Sequence, residues 1–173
     1  WPDPWNGVDP VSTDGAEILE LVYQTYLAGH PEITTDRLFE NYTAYSGSIV
    51  LNKDNTMTEL EEGTNHVVHA GHGFSYNMSV GDANILTADA ASLTNGDKLY
   101  SMYLMNCTNA SFDTDCLAES FLLNDEGGAY AVTGSSRSAF PSPSRLYLDE
   151  YYHLLFDHNI QELGKLHVLS REP

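Results

Sequence analysis

The amino-acid sequence predicts an α/β fold in which helices flank a mostly parallel sheet. Its clearest strand is 99–105, a run of mostly apolar and aromatic residues of the kind found in buried central strands. Further strands are predicted at 64–70 and 129–133, with helical patterns between the three. Strands that alternate with helices favour parallel pairing, because the helix carries the chain back to the start of the sheet.

The N-terminal part of the chain is predicted to begin with a helix over 16–28. Asp14 is a suitable N-cap with Glu17 three residues later, and the apolar residues that follow recur with the spacing of one buried helix face. Gly29 and Pro31 end this helix. The segments that follow are predicted as a short helix at 35–41, a strand at 47–51 and a polar turn at 52–55.

The rest of the chain continues the alternation of helices, strands and loops. Tyr147, Tyr151 and Tyr152 lie on a predicted amphipathic helix, where we expect them to contribute to packing. Two loops are predicted, a glycine-containing one at 71–86 and a Ser/Pro-rich one at 134–144. Helices are predicted at 87–93, from Thr114 or Asp115 to Leu122, at 145–156 and at 160–164.

Charge and length restrict the classes of function. The 173 residues carry 25 acidic and 7 basic side chains, which gives a net charge of −18. Nucleic acid is not an expected partner, because phosphate binding requires clustered Lys and Arg. The sequence contains no run near the roughly 18 apolar residues of a membrane span, so none is predicted. The length suits one domain.

Two strands end next to residues that carry reactive side chains. The strand at 64–70 leads into Gly71-His72-Gly73, and the strand at 99–105 leads into Cys107, 35 positions after His72. Consecutive parallel strands are usually neighbours, so their ends lie together. A thiolate beside an imidazole is the minimum apparatus of a cysteine hydrolase. We therefore expect Cys107 to attack a peptide carbonyl and His72 to act as general acid and base, with the N–H groups of Gly73 and Cys107 as oxyanion donors.

Two other interpretations compete for these residues. His66, His69 and His72 recur every third residue and would form a metal cluster on a helix, but residues three apart on a strand point to opposite faces. A metal site is therefore not predicted. Cys107 and Cys116 would alternatively form a disulfide, although one bridge hardly makes a scaffold for a chain of this length.

Three blocks of sequence resemble the gingipain-type cysteine peptidases, peptidase family C25 of the caspase-like clan. One is His72-Gly73 at the end of an apolar strand, and the second runs from Asn106-Cys107-Thr108 to Leu122. The third is the glycine-rich block 127–137. The resemblance implies a caspase-like three-layer sandwich over 1–173, either as the peptidase domain or as its C-terminal subdomain. It also implies Cys107 as nucleophile and His72 as general acid and base.

The resemblance implies the setting of the protein as well. We expect a secreted or surface-associated bacterial protein, a polypeptide substrate, and the rest of a larger precursor chain as partner. No organic cofactor is expected. The acidic composition is compatible with a structural Ca²⁺, although no loop matches an EF-hand.

The sequence departs from the family pattern at two positions. Relatives often carry a small residue where Phe74 stands, and an Ala or Ser where Asn106 stands. The gingipain catalytic region also extends further on its N-terminal side. These differences support an alternative, a catalytically silent binding or structural module with the same fold.

Three acidic residues are candidates to orient His72, and a fourth has two interpretations. The candidates are Asp14, Glu17 and Asp82, and the sequence does not choose among them. Glu119 either interacts with the start of its own helix or, by the resemblance, braces the site.

Overall fold

The computed structural model describes residues 14–172, which form two compact units. One unit combines the segment up to Thr35 with the segment from Phe140, and is called the terminal unit here. The central unit is Asp36–Ala139. In chain order the helices and strands are α1 (Gly15–Val22), β1 (Leu38–Phe39), β2 (Ile49–Val50), α2 (Lys53–Glu62), β3 (His66–Ala70), β4 (Gly73–Phe74), β5 (Asn77–Val80), β6 (Ala83–Leu86), α3 (Thr87–Ala91), β7 (Tyr100–Met105), α4 (Leu117–Leu122), β8 (Ala129–Gly134), α5 (Pro141–Phe156) and α6 (Leu163–Leu169).

A parallel three-stranded sheet organises the central unit. Its order is β3-β7-β8, and β7 lies in the middle with all of its residues buried. The pairing runs from His66 opposite Ser101 to Ala70 opposite Met105. The three strands predicted from the sequence and their parallel direction are therefore confirmed. Helices complete the α/β architecture, with α3 packed on α4 and α4 packed on β8.

The segment predicted as a loop at 71–86 is instead a small antiparallel sheet, so that prediction was wrong. β4, β5 and β6 pair in sequence order, and β5 joins β6 through Gly81-Asp82. Gly81 has a φ of +65°, and a Cβ there would lie 2.5 Å from the Leu51 carbonyl oxygen. The turn therefore requires glycine for its backbone angle and for its close contact.

Two predictions between residues 35 and 62 were also wrong. The segment 35–41 contains strand β1, whose backbone groups are taken by parallel pairing with β2, rather than a helix. The polar turn predicted at 52–55 is the start of α2. Asn52 caps this helix, because its side chain accepts a hydrogen bond from Asn55 N at 2.8 Å. Only Leu60 of α2 is buried, so the helix lacks a strong apolar pattern.

The core of the central unit lies on one face of the parallel sheet. Tyr100, Met102 and Leu104 of β7 point into it, because alternate residues of a strand share a face. Helices α2, α3 and α4 and strands β5 and β6 cover this face. The remaining buried members are Leu60, Met78, Val80, Ile85, Ala90, Leu93, Leu117, Phe121 and Ala129.

The terminal unit is built from α1, α5 and α6. Asp14 caps α1 as predicted, accepting a hydrogen bond from Ala16 N at 2.9 Å, and a π-helical turn at Tyr23–Leu27 extends the helix. Helix α5 begins four residues before the predicted start because Pro141 occupies its first turn. Helix α6 lies closer to the C-terminus than predicted. Tyr151 and Tyr152 are buried, in agreement with a packing role, whereas Tyr147 is exposed.

Across residues 14–172, none of the helices has the length and apolar character needed to cross a membrane.

Candidate active site

The loops that carry the predicted histidine and cysteine begin side by side. β3 and β7 end with Ala70 opposite Met105, and Gly71 N donates a hydrogen bond to Met105 O at 3.2 Å. His72 and Cys107 therefore each follow the end of one of two neighbouring, hydrogen-bonded strands. His72 is exposed and Cys107 is half-buried.

Gly73 holds the two loops in contact. A Cβ at this position would lie 2.7 Å from Asn109 Oδ1 and 2.9 Å from Asn106 Cγ, both of them buried side chains of the cysteine loop. Distances below 3.0 Å are shorter than real Cβ contacts, so a larger residue would displace the side chain of Asn106 or Asn109 or the loop that carries them. Glycine at position 73 therefore permits the close approach of the two loops.

Gly73 also has a backbone N–H that lies outside the hairpin ladder. Ser79 N donates to His72 O at 3.0 Å, which makes Gly73 and Met78 a non-hydrogen-bonded pair of the antiparallel strands β4 and β5. In such a pair the N–H groups point away from the partner strand. The Gly73 N–H consequently points away from β5.

Asn106 connects the cysteine loop to strand β3. Its Nδ2 donates to His69 Nδ1 at 3.0 Å, and His69 Nε2–H donates to Ser79 O at 2.8 Å. These two bonds define a neutral His69 with its proton on Nε2. Burial lowers the pKa of His69 and stabilises this neutral form. Asn106, a departure from the family pattern, thus has a specific partner in β3.

Asn109 attaches the same loop to the antiparallel sheet. Its side-chain Nδ2 donates to Phe74 O and to Asn77 O. Its backbone carbonyl accepts a hydrogen bond from Ala118 N at 3.0 Å. The loop is thereby tied to β4, β5 and the start of α4. This role of Asn109 was not predicted, although two Asn residues shortly after a buried strand are a signal for side-chain to backbone bonding.

The sulfur of Cys107 lies against the backbone of Ala139. Ala139 N is 3.4 Å from Sγ, and the thiol is 3.5 Å from Ala139 O. The next residue, Thr108, has a φ of +53°, which is rare for a β-branched residue. Thr108 N donates to Arg137 O at 3.1 Å, so the turn at the cysteine is fixed by the loop that follows β8.

The two other histidines of the considered cluster, His66 and His69, take part in hydrogen bonds. Both nitrogens of His69 are occupied by hydrogen bonds, and His66 Nδ1 is 2.7 Å from Ser101 Oγ. Within residues 14–172, no three His, Cys, Asp or Glu side chains form a group suited to a metal ion. Both cysteines are free, so the disulfide alternative was wrong. Burial raises the pKa of the Cys116 thiol.

The acidic candidates have local structural roles. Glu119 Oε2 accepts from Cys116 N at 3.0 Å, which supports its interpretation as a residue at the start of its own helix. Asp14 caps α1, Glu17 lies in the first turn of the same helix, and Asp82 is exposed in the turn between β5 and β6. The acid that orients His72 stays unassigned.

Three solved structures share the fold at low sequence identity. The crystal structure of the Arg-specific cysteine proteinase gingipain R (RgpB) matches with 21% identity and a TM-score of 0.63, over 74% of this chain and 33% of that chain. The complex of Porphyromonas gingivalis RgpB pro- and mature domains matches with 18% identity and a TM-score of 0.60, over 74% of this chain and 34% of that chain. A structure described only as a protease matches with 24% identity and a TM-score of 0.58, over 81% of this chain and 27% of that chain.

These matches confirm the predicted caspase-like α/β fold, and the chain spans about a third of the length of the two gingipain structures. No curated protein matches the sequence. The profile of peptidase family C25 matches residues 6–172, which is nearly the whole chain. The resemblance found in the sequence is therefore confirmed, and the chain belongs to peptidase family C25.

Proposed function

We propose that this chain is a cysteine peptidase in which Cys107 is the nucleophile and His72 the general acid and base. The observation that supports this most is that His72 and Cys107 follow the ends of two neighbouring strands, where Gly71 N still bonds to Met105 O. Membership of family C25 supports the reaction class.

The proposed reaction follows from the chemistry of the two side chains. The Cys107 thiolate attacks the carbonyl carbon of a peptide bond, and the His72 imidazolium gives its proton to the leaving amine. A thioester to Cys107 remains. Water, deprotonated by the now neutral His72, hydrolyses this thioester and releases the carboxylate product.

Gly73 is proposed as the donor that stabilises the oxyanion. Its N–H lies outside the β4–β5 ladder, and the residue lies against the cysteine loop. A backbone N–H directed at the developing negative charge contributes about 3 kcal/mol in other enzymes. The Cys107 N–H is proposed as a second donor.

The substrate and setting are part of the same proposal. We take the substrate to be a polypeptide and the protein to be a secreted or surface-associated bacterial enzyme that is made with further precursor segments. A solved relative is described as a complex of pro- and mature domains, which supports the precursor. The proposal includes no organic cofactor and leaves a structural Ca²⁺ compatible with the acidic composition.

A catalytically silent module is the second candidate. The observation that favours it is Asn106, a buried polar residue beside the cysteine whose side chain bonds to His69. A module of this kind would keep the fold and the buried asparagine contacts without turning over a substrate.

Cleavage of a denatured protein mixture tests the proposal whichever peptide bond the enzyme prefers. New N-termini are identified by mass spectrometry after incubation with the full chain. We expect cleavage by the wild type and by Cys116→Ala, none by Cys107→Ala, and a rate reduced about 10²–10⁴-fold in His72→Ala. A folded wild type that cleaves nothing, or a Cys107→Ala variant that still cleaves, would contradict the proposal.

A further inference from the structure

Two imidazoles meet at the C-terminal end of α5, in the terminal unit. His153 Nε2 and His158 Nε2 are 3.2 Å apart, and the ring planes are inclined at 81°. Both side chains reach solvent. Two nitrogen ligands of a tetrahedral Zn²⁺ are about 3.3 Å apart, because each Zn–N bond is about 2.0–2.1 Å long.

Asp157 gives His153 the orientation of a metal ligand. The Nδ1–H of His153 donates to Asp157 Oδ2 at 2.7 Å, so the lone pair of His153 is on Nε2, the atom nearest to His158. A carboxylate on the far nitrogen is the usual partner of a zinc-bound histidine, and it raises the basicity of the ring.

The backbone after α5 keeps His158 close to His153. Asn159 adopts a φ of +52°, and Ile160 N donates to Leu154 O at 3.1 Å, so the chain turns back over the last turn of the helix. The helix is 16 residues long, and its C-terminal end carries the negative pole of the helix dipole. That field, together with the net charge of −18, favours a cation at this point.

We propose that His153 and His158 chelate a divalent transition metal such as Zn²⁺ or Cu²⁺ through their Nε2 atoms. Between residues 14 and 172 no third His, Cys, Asp or Glu joins them, so water completes the coordination shell and the bound metal exchanges readily. Binding requires His158 to turn its Nε2 lone pair toward the metal and to leave its proton on Nδ1. The proposal is independent of the peptidase proposal.

The competing explanation is an ordinary hydrogen bond in which His158 Nε2–H donates to His153 Nε2. Calorimetric titration of the full chain with Zn²⁺ alone and with Cu²⁺ alone separates the two. A Cys107→Ala background removes the half-buried thiol as a competing ligand. We expect one saturable site per chain, with Cu²⁺ bound more tightly than Zn²⁺.

Three variants and one control locate the site. His153→Gln and His158→Gln are each expected to weaken binding at least about tenfold, and Asp157→Asn about tenfold through the lost hydrogen bond. His30→Gln is the matched control, because His30 also pairs its Nδ1 with a carboxylate, Glu32 Oε1, at 2.9 Å. The metal affinity of the His30→Gln variant should equal that of the Cys107→Ala protein without further changes.

Electron paramagnetic resonance of the Cu²⁺ complex gives a readout that needs no variant. Two imidazole nitrogens bound to copper should produce a superhyperfine pattern from two nitrogens. The proposal is overturned by a pattern without coupled nitrogens, by unchanged affinity in His153→Gln and His158→Gln, or by the absence of saturable binding below millimolar metal.

Discussion

The side chains of Asn106 and His69 are joined by a hydrogen bond of 3.0 Å beneath the two loops that carry Cys107 and His72. Asn106 is fully buried and His69 nearly so. Asn106 also contacts Gly73, so one side chain of the cysteine loop touches both the strand and the loop of the histidine. This contact fixes the position of one loop against the other.

Replacing Asn106 by Ala tests this contact. The change leaves His69 Nδ1 as a buried acceptor without its donor, which costs about 1–3 kcal/mol. We expect the free energy of unfolding, measured by urea titration, to fall by that amount. Asn84→Ala, at an exposed position of β6, is the control and should change it by less than about 0.5 kcal/mol. Equal effects in the two variants would refute the role of Asn106.

A methyl group at Gly73 should separate the loops. Its Cβ would overlap Asn109 Oδ1 and Asn106 Cγ, which belong to side chains anchored by hydrogen bonds from their Nδ2 groups, so Gly73→Ala should destabilise the protein by about 1–3 kcal/mol. Gly164→Ala is the opposite case. Gly164 lies in α6 with no atom within 4 Å of the position that a Cβ would take. Because alanine favours a helix more than glycine does, Gly164→Ala should increase the free energy of unfolding by about 0.5–1 kcal/mol. Urea titration measures both, and a neutral Gly73→Ala would show that the loops are not tightly packed.

Stability should fall as the pH drops below about 6.5. Burial lowers the pKa of His66 from its ordinary value of 6.5 to about 4, and burial also lowers the pKa of His69. Between the two values the unfolded chain binds a proton at residue 66 and the folded chain does not. The free energy of unfolding therefore decreases by up to about 1.4 kcal/mol per pH unit for each histidine.

The same titration in His66→Gln isolates one histidine. Urea unfolding at several pH values between 7 and 5 should give a shallower dependence in the variant than in the wild type. The slope is compared, because the substitution also removes the contact with Ser101 and shifts the absolute stability. Identical slopes would mean that folding does not lower the pKa of His66.

Much of the fold could be predicted from the sequence because the buried strands have distinct apolar patterns. The run at 99–105 is nearly all apolar, and its neighbours at 64–70 and 129–133 are set off by glycine or polar residues. The antiparallel sheet was missed although Met78, Val80 and Ile85 alternate with polar residues around Gly81-Asp82. Each strand there has only two to four residues, so the pattern is short.

Strand order predicted that β3 and β7 are neighbours, but it did not predict the side-chain contacts around their ends. Strand alternation puts His69 and Leu104 on the same face, and extending it by two residues adds Asn106 to that face. The sequence does not show that the Asn106 side chain bonds to His69. Nor does it show that the backbone of Ala139, 32 positions after Cys107, contacts the Cys107 sulfur. Such contacts depend on how loops close over a sheet, which local patterns do not specify.

Alkylation of the cysteines by iodoacetamide tests whether Cys107 is paired with His72. Rates are measured by mass spectrometry from pH 5 to 9 in the wild type, His72→Ala and Cys116→Ala. We expect Cys107 to react at least about tenfold faster than the buried Cys116 at neutral pH, His72→Ala to slow Cys107, and Cys116→Ala to leave its rate unchanged. Slow labelling of Cys107 that His72→Ala does not alter would contradict the account.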